Sequence, residues 1–591
     1  FGITGIDIML PFVFICAYII TGRVFDGIFL KRDIVPNDNT RTYKYSVRDI
    51  VWAVVPGFIF AVSVVMGAHF DVWNEVITDF GIKDIVYFVF LLIIFSALIL
   101  LFFDFVDKKG FSTKKDGAKN AEDKESCGKL CSLSFAQKHI LITLLYLLCW
   151  FPYYLTLFPG NLGKDTFESV DMCLGNIPWT NHHPIFFTTL INIVIKSTSF
   201  LGNITASIGI FTFIHMLLVA LTLGYVTIYL IDDDKTKKIL NGKTWFALSL
   251  VFFGLNPVVA MFSMYISKDV LFSCAVAMLV LKLCDVLEKP CVLKDYIYLG
   301  IWVLLTLLLR NNGILMIVGL LFAVAIVYRK KGKWLVASLL IPLLIFFIFK
   351  TSAYRVLNVA PESFAEAASV PLQQVGYVIS ESQGRSFSGL EEELLSDNKK
   401  NIEPIKGLSE ADMDFLERLM PFEEVERVYT LGYTDPYKFD KAFDDEFLNK
   451  NKGEFIKIWF KMLPAHFGDY VKAYLAQTAG YWHYGETNTL CSQGVWEDNE
   501  LGVTRIDAIE KMLGFSLYGI IEKLMLFMRK APIICIFTSM AMQFYGILLL
   551  IAMYIRKAFG AKKIIPLVPL AFLWLGIMLA SPAFCLFRYT Y

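Results

Sequence analysis

Blocks of about 20 consecutive apolar residues recur along this 591-residue chain, each long enough to cross a ~30 Å hydrocarbon core as a helix. A segment inside that core has to satisfy its backbone hydrogen bonds within itself, so repeated blocks of this kind leave helices as the solution. Candidate spans are 5–24, 49–68, 83–105, 138–158, 205–231, 245–264, 269–287, 295–310, 313–328, 334–352, 531–556 and 564–586. The composition follows the blocks. The chain is 56% hydrophobic and 18% charged, whereas soluble domains run near one half and one quarter. The expected fold class is therefore an all-α polytopic membrane protein with about twelve transmembrane helices.

Lysine and arginine in the short loops set the orientation. Arg23, Lys31, Arg32, Arg41, Lys44 and Arg48 put the first connection inside, and the acidic loop 67–81 (Asp71, Glu75, Asp79) goes outside. The lysine-dense segment 107–138 goes inside, as do Lys235, Lys237, Lys238 and Lys243, then Arg329, Lys330, Lys331 and Lys333, then Arg556, Lys562 and Lys563. Between Lys138 and Lys235 the chain must cross twice, yet it holds three apolar stretches. The shortest, Ile185–Phe200, carries Asn192 and Lys196 and reads as a helix lying in the outer interface. Segment 353–530 is then the one sizeable outer region, with helix-like stretches at Glu362–Ser380 and Glu454–Tyr481.

These assignments divide the chain into four parts. Residues 1–137 form N-terminal helices and a cytoplasmic loop, 138–352 a core with an outer loop at 159–203, 353–530 a mainly helical extracytoplasmic domain, and 531–591 the C-terminal helices. The net charge of +1 and the lack of a basic stripe exclude a nucleic-acid partner. No cleavable signal peptide is visible. The eleven cysteines lie mostly inside apolar runs (Cys16, Cys149, Cys274, Cys284, Cys535) and read as small hydrophobes. A disulfide between the outer Cys173 and Cys491 is open, and Cys127 with Cys131 lack two further zinc ligands nearby.

The chemistry concentrates in 158–184, FPGNLGKDTFESVDMCLGNIPWTNHHP. Charges beside a bilayer are costly and usually functional. Asp165 follows a Pro-Gly break at the membrane surface, where a carboxylate can act as general base toward an acceptor hydroxyl. Lys164 precedes Asp165, and Glu168 and Asp171 follow at three-residue steps, so that in a helix the three acids share roughly one face, a pattern that acids at a helix N-terminus also produce for dipole reasons alone. His182 and His183 suit contact with a phosphate or sugar, or a structural helix entry before Pro184. Adjacent histidines on an extended chain point apart and rarely chelate one ion, so no metal site is expected. Lys268 with Asp269, Arg310 with Asn311, and Arg588 sit at outer span ends, where a lipid phosphate would need positive charge. Tyr481 and Trp482 suit either sugar stacking or an interfacial aromatic belt.

A span ending in Pro-Gly, then an Asp, then His-Pro opening an interfacial helix resembles the type C glycosyltransferases, the GT-C fold. The pieces FPGNLGKDTFES, NHHP, SKDVLF, LLRNNG, VPLQQVGYV and the terminal RY, in that order, are similar to a group of bacterial membrane proteins placed in that superfamily. The resemblance implies a polyprenyl-phosphate-linked sugar donor, an extracytoplasmic acceptor (glycan, lipid or protein), no cofactor or required metal, and a bacterial cytoplasmic membrane with the active site outside. It implies Asp165 as base and Lys268, Arg310 and Arg588 at the donor phosphate. The spans before Trp150 are extra to the common core, and the second acid of an Asp-Asp or Asp-Glu pair is not evident. A flippase for lipid-linked sugars, a transferase of another group and a non-enzymatic scaffold are the rival readings.

Overall fold

The structure, a computed structural model, describes residue 21 and residues 45–109, 133–328, 332–387, 404–484, 494–531, 538–558 and 560–586. It is helical almost throughout, with one two-residue hairpin pairing Phe70–Asp71 and Val76–Ile77. Helices α1 (Val47–Gly67), α2 (Ile82–Lys109), α3 (Phe135–Thr156), α4 (Lys164–Leu174), α5 (Ile185–Ser197) and α6 (Ile204–Asp232) come first. Next are α7 (Gly242–Ser249), α8 (Pro257–Ser263), α9 (Lys268–Glu288), α10 (Leu293–Leu309), α11 (Gly313–Tyr328) and α12 (Lys333–Val356). After the outer helices, including α13 (Ser369–Ser382) and α14 (Phe467–Trp482), come α15 (Ala541–Arg556) and α16 (Val568–Ala580).

Among the described residues, seven helices are long and apolar enough to cross a membrane, or eight counting a pair bent by 60° as one span. The protein is thus an all-α polytopic membrane protein. Three other expected spans fall on α10, α11 and α15, of 17, 16 and 16 residues. The first, 5–24, lies outside the described residues except for Thr21. The bent pair is the expected span 245–264. A π turn at Leu250–Gly254 ends α7, and Asn256 caps α8 by accepting from the Val258 amide at 2.9 Å. Proline at the first position of α8 is pre-organised for a helix start. The Phe253 carbonyl at the break is taken by Trp150 Nε1 at 3.1 Å, as a polar group at membrane depth requires.

Ion pairs join helix ends that the loop charges assign to the same side. Arg556 at the end of α15 pairs with Asp49 of α1 and Asp107 of α2. Lys138 of α3 meets Asp232 of α6 at 2.9 Å, and Lys235 and Lys563 share Glu288 at the end of α9. The short α5, 13 residues long, packs Ile185, Phe187, Ile191 and Ile195 inward.

Region 353–530 does not stand apart from the bundle. One apolar core runs from Tyr146 and Trp150 of α3 through Tyr377 and Tyr429 to Ile577 of α16. The early helices α1 and α2 share a smaller core with α15, built on Ala53, Phe60, Phe103 and Ala552. α14 ends against the C-terminal segment at backbone range, where a Cβ on Gly480 would sit 2.2 Å from the Phe584 carbonyl oxygen.

That packing corrects the expectation for Tyr481 and Trp482. Sugar stacking and an interfacial belt both need an exposed ring, whereas Tyr481 is 0% and Trp482 7% exposed. Tyr481 Oη lies 2.8 Å from both Ser581 Oγ and the Ala583 carbonyl, and Trp482 Nε1 donates to Thr478 Oγ1. Tyr481→Phe should destabilise the fold by about 1 kcal/mol, because Ser581 Oγ still donates to the Ala583 carbonyl after the phenol is lost. A lowered apparent melting temperature in detergent is the expected reading.

Candidate functional site

The segment before α4 is fixed by distant chain. The Phe158–Pro159 bond is cis, and Gly160 has φ +142, where a Cβ would meet Thr212 at 2.7 Å. Only glycine takes that conformation freely. Asn161, 0% exposed, donates its amide to the Met264 carbonyl and Nδ2 to the Met261 carbonyl, while Oδ1 accepts from the Gly494 amide at 2.9 Å. Leu162 bonds Gly494 and Trp496, and the Ile506 amide donates to the Phe158 carbonyl at 2.7 Å. One loop is thereby stitched to the start of α9 and to the chain 330 residues on. Sequence reasoning passed over Asn161, whose buried side-chain amide satisfies two backbone groups.

α4 turns Thr166, Phe167, Ser169, Val170 and Met172 inward, and Thr166 Oγ1 locks it by donating to the Ile266 carbonyl at 2.9 Å. Asp165 and Glu168, one turn apart, stay half-exposed beside each other, as does Asp171. Asp171 accepts from Asn176 Nδ2 at the far end of the helix, which takes it out of the cluster. Lys164 reaches Glu168 at 3.7 Å and covers the Phe439 ring.

The loop carrying the histidines is held by backbone bonds from the Asn181 amide to the Ala360 carbonyl and from the Ala360 amide to the Trp179 carbonyl. His183 is 1% exposed. Its Nε2 lies 3.0 Å from Glu168 Oε2 and its Nδ1 3.0 Å from Lys268 Nζ, which also donates to the His182 carbonyl at 3.2 Å. A lysine ammonium offers donors only, so Nδ1 accepts and the proton of the neutral ring sits on Nε2, donated to Glu168. Burial and then the Lys268 charge push the His183 pKa down, and the hydrogen bond from His183 lowers that of Glu168. The charge of Asp165 also acts on Glu168, His182 and His183.

A cavity of about 430 Å³ opens next to this cluster, within the range of small-ligand pockets. His182, Lys268, Arg310, Asn311, Glu362 and Glu366 line it, with Lys452, Ser581 and Pro582. Arg310, at the end of α10, is steered by Asp269 of α9 across a 2.7 Å ion pair in which the carboxylate is 1% exposed. Of the residues singled out from the sequence, Lys268, Arg310, Asn311 and His182 line this one cavity, and Glu168 and His183 connect to it through Lys268. Arg588 lies outside the described residues. Glu362 and Glu366 were missed. They lie four residues apart, Glu362 just before the short helix Phe364–Ala367 and Glu366 within it, but nothing local says that they meet a histidine 180 residues earlier. His182 Nδ1 is 3.8 and 4.0 Å from them, and Glu366 is also held by the buried Lys438 at 2.6 Å.

Among the described residues, two groups have ligand atoms within 4.8 Å of one another, Glu168–His182–His183 and His182–Glu362–Glu366. In the first, the Lys268 ammonium occupies His183 Nδ1 and repels a second cation. The second is the arrangement that could take a metal ion, although sequence analysis expects none.

His182 is pushed down to about 4, first by burial and next by the Lys268 charge. Between its ordinary 6.5 and 4 the unfolded chain takes up a proton that the folded chain refuses, so stability from this residue falls as pH falls. Burial, with the Glu366 charge, raises Glu362 and acts in the opposite sense. A single-residue comparison isolates the effect. The melting-temperature advantage of wild type over His182→Asn should shrink from pH 7 to pH 4, and a constant gap would contradict the assignment.

A family model described as a family of unknown function, DUF6020, matches residues 176–591. No curated protein and no solved structure matches the chain.

Proposed function

The chain belongs to the DUF6020 family, whose function is unknown, and we propose that it is a GT-C-like glycosyltransferase. It takes a sugar from a polyprenyl-phosphate donor and passes it to an acceptor outside the bacterial cytoplasmic membrane, a cell-wall or surface glycopolymer, lipid or protein. One observation carries this reading: Lys268 and Arg310, from two different helices, line a single cavity beside the acids of α4. Two cations on one wall suit a lipid-linked phosphate. The phosphate leaves as a stabilised anion, so cations that meet its developing charge can replace an acid. Asp165 is the proposed base, removing the acceptor proton as the hydroxyl attacks the anomeric carbon with inversion. In this reading α10, α11 and α15 cross the membrane with the seven longer helices.

The bent α7–α8 pair favours one rival, since transporters place broken helices near the bilayer midplane. The cavity residues instead come from helix ends and loops, which supports transfer over translocation. The experiment is turnover of a labelled polyprenyl-phosphate sugar by the purified chain in nanodiscs with cell-envelope acceptor. Release of polyprenyl phosphate in step with sugar transfer is expected, at a rate held within about twofold by EDTA. Flipping without transfer would establish the rival. Loss with EDTA and recovery with Mn²⁺ would place a divalent ion at His182–Glu362–Glu366.

A further inference from the structure

Lys268 opens α9, at the positive end of the helix dipole, where a cation is disfavoured. Two acceptors hold it there, the His182 carbonyl and His183 Nδ1. We infer that His183 is a positioning residue, whose neutral ring fixes the Lys268 side chain at the cavity wall and couples it to Glu168 on α4. His183 is 1% exposed and is not among the cavity-lining residues, so it acts through Lys268 and does not touch a ligand. Its ring can accept from Lys268 only with the proton on Nε2, and Glu168 at 3.0 Å selects that tautomer. The chain Glu168–His183–Lys268 thus sets one lysine rotamer before any ligand arrives, which removes an ordering cost from binding. That Lys268 meets a phosphate rests on the proposed function; the hydrogen-bonded chain rests on geometry alone.

Two measurements on the full chain in nanodiscs separate these claims. In ¹⁵N-histidine NMR, His183 should be neutral at pH 7 and protonated on Nε2. The charged groups facing its ring are Glu168, Asp165 and Lys268, with neutral His182 alongside, so Lys268→Met should raise the pH at which His183 charges. A ring protonated on Nδ1, or a titration unmoved by Lys268→Met, overturns the inference. In polyprenyl monophosphate binding, His183→Leu should weaken Kd about tenfold or more, and His183→Gln, whose amide offers one acceptor and one donor, should hold it within about threefold. His183→Leu combined with Lys268→Met should bind no worse than Lys268→Met alone, because both remove the same contact. Additive losses would overturn the inference. If Lys268→Met leaves Kd unchanged, the donor reading of the cavity falls, while the NMR result still decides the role of His183.

Discussion

Replacing Asp165 with asparagine is expected to lower the transfer rate by about 10²–10⁴ while polyprenyl phosphate binding stays within about threefold. The amide keeps the size and the hydrogen-bonding edge of the carboxylate but cannot accept a proton. The proposed phosphate contacts lie elsewhere, on Lys268 and Arg310, which line the cavity wall. Loss of the Asp165 charge also removes a term that favours charged His182 and His183, so both rings stay neutral and the wall is undisturbed. Glu168→Gln is the control. Glu168 accepts from His183 at 3.0 Å, so it serves the Lys268 wall rather than the proposed proton transfer. Single-turnover assays on both variants decide the matter. Full turnover by Asp165→Asn with loss in Glu168→Gln would move the base one turn along α4, and full turnover by both would end the proposed mechanism.

Arg310→Met should be the most damaging change at the cavity. The Asp269 carboxylate is 1% exposed and Arg310 12% exposed across 2.7 Å. Removing one partner of such a pair leaves a buried charge, which costs about 3–5 kcal/mol. Polyprenyl phosphate binding should be lost with it. The two effects can be pulled apart. Asp269→Leu added to Arg310→Met removes the stranded charge, and the apparent melting temperature should recover most of its loss, since apolar replacements of buried ion pairs are often neutral. Binding should not recover. A double variant that binds polyprenyl phosphate like wild type would make the arginine structural. Arg310→Lys should keep the fold and part of the binding, because a point charge replaces a forked donor.

The membrane-spanning helices were legible because about 20 apolar residues in a row admit one physical solution. Helix ends that the loop charges group together do meet, since Arg556, Lys138, Lys235 and Lys563 each find an acid on an end that the same rule assigns to the same side. The break in span 245–264 had its signals, Gly254 and Pro257, inside an apolar run that hid them. The stretch Glu454–Tyr481 reads as one helix and is two, Lys452–Met462 and Phe467–Trp482, separated around Pro464. Tyr481 shows where local reading stops. Its last-turn position on an outer helix looks interfacial, and only the return of residues 581–584 buries it. Glu362, Glu366 and Lys438 likewise gain meaning from a loop far away in sequence. Residue types near the membrane surface gave Lys268, Arg310 and His182, whereas the partners that tune them depend on long-range packing.

The stitching of residues 158–162 to residues 494 and 506 has a consequence for biosynthesis. The ribosome releases the Asp165 loop while its anchoring partners are still untranslated, and the insertion machinery must place α6 through α12 and the outer helices before Asn161 can find the Gly494 amide. Pairings of such sequence separation form late. A chain truncated before residue 494 therefore lacks the partners that fix the loop leading to Asp165.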